Sequence, residues 1–239
     1  MQDVAEILEQ FCRRNGLSFD DRTLLRTALT HRSYLNEHGD VDWEDNERLE
    51  YLGDAVLDFL LADYLFEKFP NAPEGELTAL RAALVRRETL SRLAARLDIG
   101  SSLLMGHGEV ETGGRTRPAT LCAAFEALVG ALYRDRDMNA VADFVLPMMQ
   151  EELGGARTEV EDKDPKSRLQ ELAQSALGVT PRYRTVAAEG PDHAKVFRVQ
   201  VSIGEWVYGV GEGPSKQLAA QSAAIDALAR EDDWHRAPE

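Results

Sequence analysis

One short stretch, NERLEYLGDAVL at residues 46–57, places an acidic row and an apolar row along a single predicted helix. Glu47, Glu50 and Asp54 are spaced i, i+3 and i+7, so their side chains project from one helical face. Carboxylates crowded on the rim of a buried helix repel one another unless a cation neutralises them. The pattern therefore predicts a site for a hard divalent cation such as Mg²⁺ or Mn²⁺. The apolar stripe beside it consists of Leu49, Leu52, Val56, Leu57 and Leu60.

The same stretch resembles the signature of the ribonuclease III family, endonucleases that act on double-stranded RNA. A C-terminal segment similar to the family's double-stranded-RNA-binding domain follows it. An isolated acidic trio is more often a solvated helix face than a metal site, and only the full stretch favours a site of this family's type. Other stretches match in order and spacing: PEG at 73–75, LRA at 80–82, LV at 84–85, GHGE at 106–109, GGR at 113–115 and FEALVGA at 125–131.

The composition is that of an ordinary globular chain. Its 239 residues suit one large domain or two small ones, and no run approaches the roughly 18 apolar residues of a membrane span. The start MQDVAE lacks the basic-then-apolar order of a secretory signal. Cys12 and Cys122 have no metal-like spacing, which predicts two free thiols in a reducing cytoplasm.

The net charge of the whole chain argues against a nucleic-acid partner, but the charges of its two segments differ. The whole chain has a formal net charge of −15, whereas proteins that bind nucleic acid are usually basic. Residues 1–154 contain 16 Lys and Arg against 28 Asp and Glu, a balance of −12, and residues 164–232 contain 8 against 9, a balance of −1. We therefore expect local basic patches to attract RNA, with modest affinity that depends steeply on salt.

Hydrophobic periodicity predicts that residues 1–154 form an all-α domain. Few β-branched alternating runs occur there, and Gly154-Gly155 is expected to stop the last helix. Residues 155–163 are polar and small, which is typical of a flexible linker. The predicted helices of the domain include 46–67, 76–97, 118–133 and 141–153.

Residues 164–232 show a different pattern, helix-strand-strand-strand-helix, followed by a tail at 233–239. Apolar residues alternate with polar ones from 196 to 203, which is the period of a half-buried strand, and Gly204 is expected to form a tight hairpin. This α+β order is the one that the resemblance to a double-stranded-RNA-binding domain implies. A small module that binds protein is the alternative. The predicted strands are 182–187, 196–203 and 205–212, between helices at 166–177 and 215–229.

The resemblance implies that two carboxylates of the signature helix and two of a later helix hold the catalytic metal. The first pair falls on Glu50 and Asp54, and the glutamate of the second pair falls on Glu126. The aspartate of the second pair belongs three residues before Glu126, where this chain has Ala123. Asp54 and Glu126 are thus the expected catalytic carboxylates, and the fourth ligand is missing. Cys122 is a soft ligand one position away and is not an obvious replacement.

Several further residues match family positions and leave two interpretations open. Glu47 and Glu74 correspond to additional acidic positions at the family's site, although Glu74 could instead be an acid at a helix N-terminus. Glu126 could be a buried acid paired with an arginine. Tyr51 corresponds to an aromatic residue that inserts into the partner subunit, with ordinary core packing as the alternative.

His31 and the basic loop GGRTR at 113–117 also match family positions. A lone histidine is more often structural than catalytic, so we expect His31 to pack or to form hydrogen bonds. Arg115 and Arg117 could contact phosphate or brace the helix that starts at Pro118.

The resemblance implies three RNA-contacting surfaces in residues 164–232, which together recognise the shape of about 16 base pairs of A-form RNA. They are one face of the first helix, the loop at 190–195, and the N-terminus of the last helix, whose positive end favours phosphate. The usual basic pair is reduced here to Lys216, and Ala220 stands where a charge is common, so we expect a weak phosphate clamp. The predicted contacts are Ser167, Gln170, Glu171, Gln174, His193, Lys216 and Gln217.

These features predict a Mg²⁺-dependent homodimeric endonuclease, with Mn²⁺ as a substitute, that processes ribosomal, messenger and other RNA in the cytoplasm. The resemblance implies that each subunit cuts one strand and that the products have 5′-phosphates and short 3′ overhangs. Because Ala123 removes a metal ligand, we expect poor cleavage or none. The alternative is a non-cleaving double-stranded-RNA-binding protein, natural or engineered, that keeps the fold and the dimer. A scaffold without RNA is disfavoured by Gln170, His193 and Lys216.

Overall fold

The computed structural model describes residues 4–163, 165–191, 195–231 and 234. Contacts divide the chain into two compact units, Met1–Arg157 and Thr158–Glu239. The predicted fold class, an all-α domain followed by an α+β domain, is confirmed. Among the helices of the described residues, none combines the length and the apolar composition that crossing a membrane requires.

The N-terminal unit is a bundle of helices arranged around one central pair. Its elements are α1 (Val4–Asn15), α2 (Arg22–Ala28), α3 (Arg32–Glu37), α4 (Glu47–Lys68), α5 (Glu74–Val85), α6 (Arg87–Arg96), α7 (Ile99–Ser102), α8 (His107–Glu111), a 3-10 turn (Gly114–Thr116), α9 (Pro118–Asp135) and α10 (Met138–Lys163). Helix α4 packs most extensively against α9, while α2 and α6 also pack on α9 and α5 packs on α4. Large apolar side chains fill the space between them, and Leu57, Leu61 and Phe125 are fully buried.

Two glycines allow α4 and α9 to cross in close contact. A Cβ atom at Gly53 would overlap the carbonyl oxygen of Glu126, and a Cβ atom at Gly130 would overlap the carbonyl oxygen of Leu49. Glycine inside a helix costs roughly 0.5–1 kcal/mol relative to alanine, but here it permits a backbone contact that any side chain would prevent. The contact places the acidic face of α4 beside the middle of α9.

The segment predicted as one helix over residues 76–97 forms two helices, α5 and α6, so that prediction is wrong. The chain turns at Arg86, whose φ of −63° and ψ of 152° are extended. Thr89 stabilises this turn through two hydrogen bonds. Its hydroxyl donates to the carbonyl oxygen of Ala83 at 3.0 Å, and its backbone N–H donates to the carbonyl oxygen of Arg86 at 3.0 Å. The apolar period continues across the turn, and periodicity alone therefore does not reveal it.

The last helix of the N-terminal unit does not stop at Gly154-Gly155, contrary to the prediction. Helix α10 continues to Lys163, so the backbone of residues 155–163 is helical where a flexible linker was expected. Neither glycine has the positive φ that ends many helices. Good helix formers on both sides, such as Glu151, Glu152 and Ala156, offset the weak helix propensity of two glycines. The division between the compact units falls between the predicted boundaries at 154 and 164.

The C-terminal unit has the predicted order of elements. They are α11 (Pro165–Leu177), β1 (Arg182–Glu189), β2 (Val196–Ile203), β3 (Trp206–Gly213) and α12 (Lys216–Leu228). The strands pair antiparallel in the order β1-β2-β3, and Gly204, with a φ of +65°, begins the turn between β2 and β3. Val199, Val201 and Ile203 of β2 are buried in a core shared with the alanines of α12, which confirms the predicted alternation.

The contact between α4 and α9 leads to a stability prediction. Changing Gly130→Ala should destabilise the protein by about 1 to 3 kcal/mol, because the added methyl group must push two backbones apart. Gly154→Ala is the matched control, since a Cβ atom there meets nothing within 4 Å and should stabilise helix α10 by about 0.5 to 1 kcal/mol. Urea unfolding followed by circular dichroism measures both changes. Equal effects of the two substitutions would contradict the close crossing.

Candidate functional site

Four carboxylates from two helices share one cavity. Glu47, Glu50 and Asp54 reach it from α4, Glu126 reaches it from α9, and Tyr51 completes the lining. The cavity has a volume of about 450 Å³. Glu47 and Asp54 are exposed, whereas Glu50 and Glu126 are half-buried. Helical spacing aligns the three acids of α4, and the glycine contact between the helices adds the fourth.

The two half-buried glutamates resist ionisation. Burial, followed by the carboxylates of Asp54 and Glu50, raises the pKa of Glu126 to about 7. Burial, followed by the carboxylates of Glu47 and Asp54, also raises the pKa of Glu50. Each carboxylate thus makes the next one harder to ionise, and a divalent cation relieves this kind of repulsion.

Ala123 lies one turn before Glu126 on α9, at the position where a second carboxylate was expected. The preceding residue is Cys122, whose thiol donates to Glu126 Oε1 across 3.5 Å. Burial, followed by the Glu126 carboxylate, raises the pKa of this thiol to about 12. A thiol is a soft ligand, whereas Mg²⁺ and Mn²⁺ prefer carboxylate oxygens, so Cys122 is not equivalent to the missing aspartate.

Arg87, the first residue of α6, adds a positive charge close to the same carboxylate. Its field opposes the upward shift of the pKa of both Glu126 and Cys122, and its side chain is exposed. Sequence reasoning did not identify this residue. The doublet Arg86-Arg87 was visible in the sequence, but only the fold shows that the charge of Arg87 acts on Glu126.

The donor set suits a hard divalent cation that keeps much of its water shell. In the part of the chain that the structure describes, no three Asp, Glu, His or Cys side chains are gathered closely enough to form a metal cage. Glu50, Asp54 and Glu126 nevertheless line one cavity. The three carboxylates face the same space, but they are not close enough together to surround one ion directly. Mg²⁺ is commonly bound through one or two carboxylates and several waters, so these three residues fit it without the fourth ligand.

Glu74 lies apart from the acidic cavity, although it was predicted to line the same site as Glu47. It is the first residue of α5, and its Oε1 accepts a hydrogen bond from the Thr78 hydroxyl at 3.0 Å. An acid in the first turn of a helix is stabilised by the positive end of the helix dipole. Within one chain, the structure therefore favours the alternative interpretation of Glu74.

The basic loop at 113–117 braces the fold. Arg115 Nη1 donates to the backbone carbonyl oxygens of residues 100, 101 and 103 at 2.7, 3.2 and 2.8 Å, and Arg117 forms an ion pair with Glu109. His31 caps α3 by accepting a hydrogen bond from the Ser33 backbone N–H at 3.3 Å. The structural interpretation is thus favoured for the two arginines and confirmed for His31.

One predicted RNA-contacting surface of the C-terminal unit is an exposed helix face. Ser167, Gln170, Glu171 and Gln174 lie on α11 at i, i+3, i+4 and i+7, and all four side chains are exposed. The opposite face of the helix packs into the core through Leu169. Amide and hydroxyl groups in this arrangement can reach 2′-hydroxyls across a minor groove.

The start of α12 provides the second predicted surface that the structure describes. Ser215 is the N-cap, its hydroxyl accepts from the Leu218 backbone N–H at 3.2 Å, and Lys216 and Gln217 are exposed in the first turn. Ala220 is only 7% exposed, and the expectation that its lack of a charge weakens the phosphate clamp stays a prediction. His193 lies outside the described residues.

Aromatic side chains project from the exposed face of α4. Tyr51, Phe59 and Phe66 are 82%, 61% and 66% exposed, and their spacing places them on one side of the helix. Ordinary core packing within the chain is therefore excluded for Tyr51. Single exposed apolar residues are common, but a row of large aromatic ones indicates a surface that another protein covers.

Comparison with known proteins decides what this combination of units is. A family profile described as Ribonuclease-III-like matches residues 21–153, and one described as Double-stranded RNA binding motif matches residues 165–230. The chain belongs to the ribonuclease III family. It is therefore an endoribonuclease of the ribonuclease III type with a double-stranded-RNA-binding domain.

Individual relatives cover nearly the whole chain. Ribonuclease 3 of Roseiflexus sp. (strain RS-1) is 46% identical over 92% of this chain and 94% of the relative. Ribonuclease 3 of Bacillus cereus (strain G9842) is 44% identical over 93% of this chain and 91% of the relative. A solved structure of the nuclease domain of ribonuclease III from Campylobacter jejuni, described by its structural flexibility in a region involved in dimer formation, is 36% identical. Its TM-score is 0.55, and the match covers 60% of this chain and 96% of that one.

The raised pKa of Glu126 gives a pH-dependent stability prediction for the metal-free protein. A carboxyl whose pKa rises on folding, from 4.5 to about 7, contributes stability that is present below about pH 4.5 and lost as the pH rises through about 7. Glu126→Gln removes that loss, so this variant should exceed the parent in stability by about 1 to 3 kcal/mol at about pH 8 and should lose its advantage toward pH 5. Urea unfolding in EDTA across this range measures the difference.

The matched control for this prediction is Glu67→Gln, which neutralises an exposed acid near the far end of α4. Its effect on the free energy of unfolding should be small at every pH. Identical pH profiles for Glu126→Gln and the parent would contradict the raised pKa. Added Mn²⁺ should stabilise the parent more than Glu126→Gln, because a ligand that binds only the folded state stabilises it by mass action.

Proposed function

We propose that this ribonuclease III family member binds double-stranded RNA and hydrolyses its phosphodiesters in a Mg²⁺-dependent reaction that Ala123 slows. The observation that carries the proposal is the cavity shared by Glu47, Glu50, Asp54 and Glu126, with alanine one turn before Glu126. Three of the four expected ligands are present and one is absent. The products implied by the family are duplexes with 5′-phosphates and short 3′ overhangs, from ribosomal, messenger and other RNA.

Glu50, Asp54 and Glu126 would hold the cation, and Glu47 borders the same cavity. A bound Mg²⁺ or Mn²⁺ supplies positive charge that stabilises the negative charge developing on the scissile phosphate. The carboxylates orient it, and Glu126 must give up the proton that its raised pKa favours near neutral pH. Loss of a residue that only supports a metal ligand lowers metal affinity about 10-fold to 100-fold. Loss of a ligand itself should lower the affinity for the cation by at least as much.

RNA recognition is assigned to the C-terminal unit. The exposed polar face of α11 suits the minor groove, and the capped N-terminus of α12 with Lys216 suits the backbone phosphates. The predicted minor-groove contact at His193 completes this set. With Lys216 followed by uncharged Gln217, the clamp carries one positive charge where the family often has two, so the affinity should be modest.

Homodimer formation through α4 is part of the proposal. The row of Tyr51, Phe59 and Phe66 provides an apolar surface for a second copy, and dimers with two-fold symmetry apply the same patch on both subunits. A related nuclease domain has a described region involved in dimer formation. Two acidic cavities in one dimer would allow both strands of a duplex to be cut.

A reducing compartment such as the cytoplasm is the proposed location. Cys12 and Cys122 are both free thiols, as is usual for proteins that work where thiols stay reduced.

The second candidate function is that of a double-stranded-RNA-binding protein that does not cleave. The specific observation in its favour is that the polar side chain next to Ala123 is the Cys122 thiol, a soft ligand that suits Mg²⁺ poorly. Binding to duplex RNA would persist, because the described RNA-contacting residues belong to the C-terminal unit. Duplex binding without cleavage in Mg²⁺ or Mn²⁺ would identify this function.

Restoring the missing carboxylate tests the proposal directly. Ala123→Asp should increase cleavage of a long RNA duplex in Mg²⁺ by at least about 10-fold and should tighten Mn²⁺ binding in calorimetry by a similar factor. Ala5→Asp, which adds a carboxylate on exposed α1, is the control and should change neither quantity. If Ala123→Asp neither binds Mn²⁺ more tightly nor cuts faster, position 123 is not the broken ligand.

Restoring the basic pair tests the RNA-binding assignment. Gln217→Lys should tighten duplex binding and make the slope of log affinity against log salt steeper by about 1, because one more phosphate is neutralised. Gln150→Lys adds the same charge at an exposed position of α10 and should leave the slope nearly unchanged. Equal responses of the two variants would show that net charge, and not the N-terminus of α12, controls RNA affinity.

A further inference from the structure

The sheet of the C-terminal unit has an outer face that its helices do not cover. Helices α11 and α12 share a core with the opposite face, which buries three side chains of β2: Val199, Val201 and Ile203. Because successive side chains of a strand point to opposite faces, Gln200 and Ser202 of β2 point outward. Their cross-strand partners on β1 are Arg184 and Arg182, so these two arginines lie on the outer face as well.

A third arginine continues this row of positive charges along β2. Arg198 lies two residues before Gln200 and therefore shares its face, and all three arginines are exposed. They are three of the 8 Lys and Arg residues in 164–232, whereas the first turn of α12 contributes Lys216 alone. The outer face thus holds more positive charge than the predicted phosphate clamp does.

These guanidinium groups are available to an anionic ligand. Arg184 Nη2 reaches Gln200 Oε1 at 3.5 Å, which neutralises no charge, and the Arg182 side chain forms no ion pair within the described residues. Arg198 is paired with Glu212 across 3.6 Å. An exposed ion pair of this kind contributes little to stability, so a phosphate group can take the place of the Glu212 carboxylate.

The positive charge is concentrated at one end of the face. A second acid, Glu189, lies opposite Val196 at the other end of β1, roughly 20 Å from Arg182 by the rise of an extended strand. The end that holds Arg182 and Arg184 is bordered by the uncharged side chains of Gln200 and Ser202. An anion that binds there meets donors without meeting a carboxylate.

We propose that this outer face binds the sugar–phosphate backbone of single-stranded RNA, such as the unpaired flank of a duplex substrate. Alternate side chains of a strand are about 6.6 Å apart, so Arg182 and Arg184 present two guanidinium forks in a row. Such forks bind phosphate oxygens in pairs. The amide of Gln200 and the hydroxyl of Ser202 lie beside them and suit the 2′-hydroxyl of ribose.

The shape of the face favours a single strand over a second duplex. A-form duplexes are recognised by elements that reach across their grooves, and an open sheet face has no such projection. A flexible single strand, in contrast, can follow a row of positive charges through its backbone alone. The inference goes beyond the proposed function, which assigns duplex binding to the helices α11 and α12.

The assigned duplex binding also favours RNA over an acidic protein as the occupant. When the helices hold a duplex, its unpaired flank reaches the outer face in an intramolecular step. The effective concentration of a short flexible tether is in the mM range, so even a weak phosphate site becomes occupied. A separate acidic protein gains no such advantage.

RNA binding by the full chain, followed by fluorescence anisotropy in EDTA, tests the proposal. One probe is a blunt duplex of about 16 base pairs, and the other is the same duplex with an unpaired extension of about 12 nucleotides. The parent should bind the extended probe roughly 10-fold more tightly. Arg182→Gln combined with Arg184→Gln should remove this gain and leave binding of the blunt duplex nearly unchanged.

Salt dependence and two further variants identify the cause of the loss. On the extended probe, the double glutamine variant should lower the slope of log affinity against log salt by about 1.4, since each phosphate of a single strand contributes about 0.7. Arg182→Lys combined with Arg184→Lys keeps the charge and should preserve most of the slope. Arg13→Gln combined with Arg22→Gln removes two exposed charges from the N-terminal unit and should change neither probe's binding.

The remaining outcomes contradict the proposal or isolate it from the proposed function. Equal binding of both probes by the parent would overturn it, and so would an equal loss on both probes in the double glutamine variant. If that variant changes sedimentation and not RNA binding, the face contacts a second copy of the chain and the proposal is wrong. If the parent fails to bind the blunt duplex, the proposed duplex binding fails. A free single strand then tests the outer face alone, because the double glutamine variant should bind it more weakly than the parent.

Discussion

The close crossing of α4 and α9 is the contact on which the rest of the site depends. Gly53 and Gly130 let the two backbones touch, and this brings acids separated by more than seventy residues in sequence to one cavity. Closely packed helices cannot shift relative to each other by small amounts, because their interior packs as tightly as a crystal of small molecules. The backbone positions of Glu50, Asp54 and Glu126 are therefore fixed by packing before any ligand arrives.

Because the acidic residues are held close together, their carboxylates repel one another. Holding carboxylates together at a partly buried site raises the pKa of Glu126 and Glu50, which disfavours the folded protein unless a cation is bound. Ala123 reduces that repulsion by one charge, and Arg87 reduces it further. Under the proposed function, this lower repulsion in the metal-free protein comes with weaker binding of the cation that hydrolysis requires. A loss of function where stability is gained is a common trade-off.

Much of the fold was predictable because each element carries a local signal. The helix at the signature stretch, the strand at 196–203 and the turn at Gly204 follow from periodicity and from residue types that act over a few positions. The failures have the same origin. Gly154-Gly155 was expected to end a helix but lies inside α10, because the propensity of the neighbouring residues exceeds the local preference of glycine. The turn at Arg86 was missed because it depends on Thr89 bonding back to Ala83.

Residue types and their spacing were enough to predict the chemistry of this protein: a row of acids on one helix, a glutamate on another, an alanine at an expected ligand position, and a second domain of α-β-β-β-α order. These are properties of residue identity and spacing, which do not require the chain to be folded. Only the tertiary structure decided which groups meet. It gave Glu74 a hydrogen-bond partner in its own helix, buried Ala220, placed the charge of Arg87 near Glu126, and left Tyr51 exposed. Such meetings depend on packing between distant segments, and no local pattern encodes them.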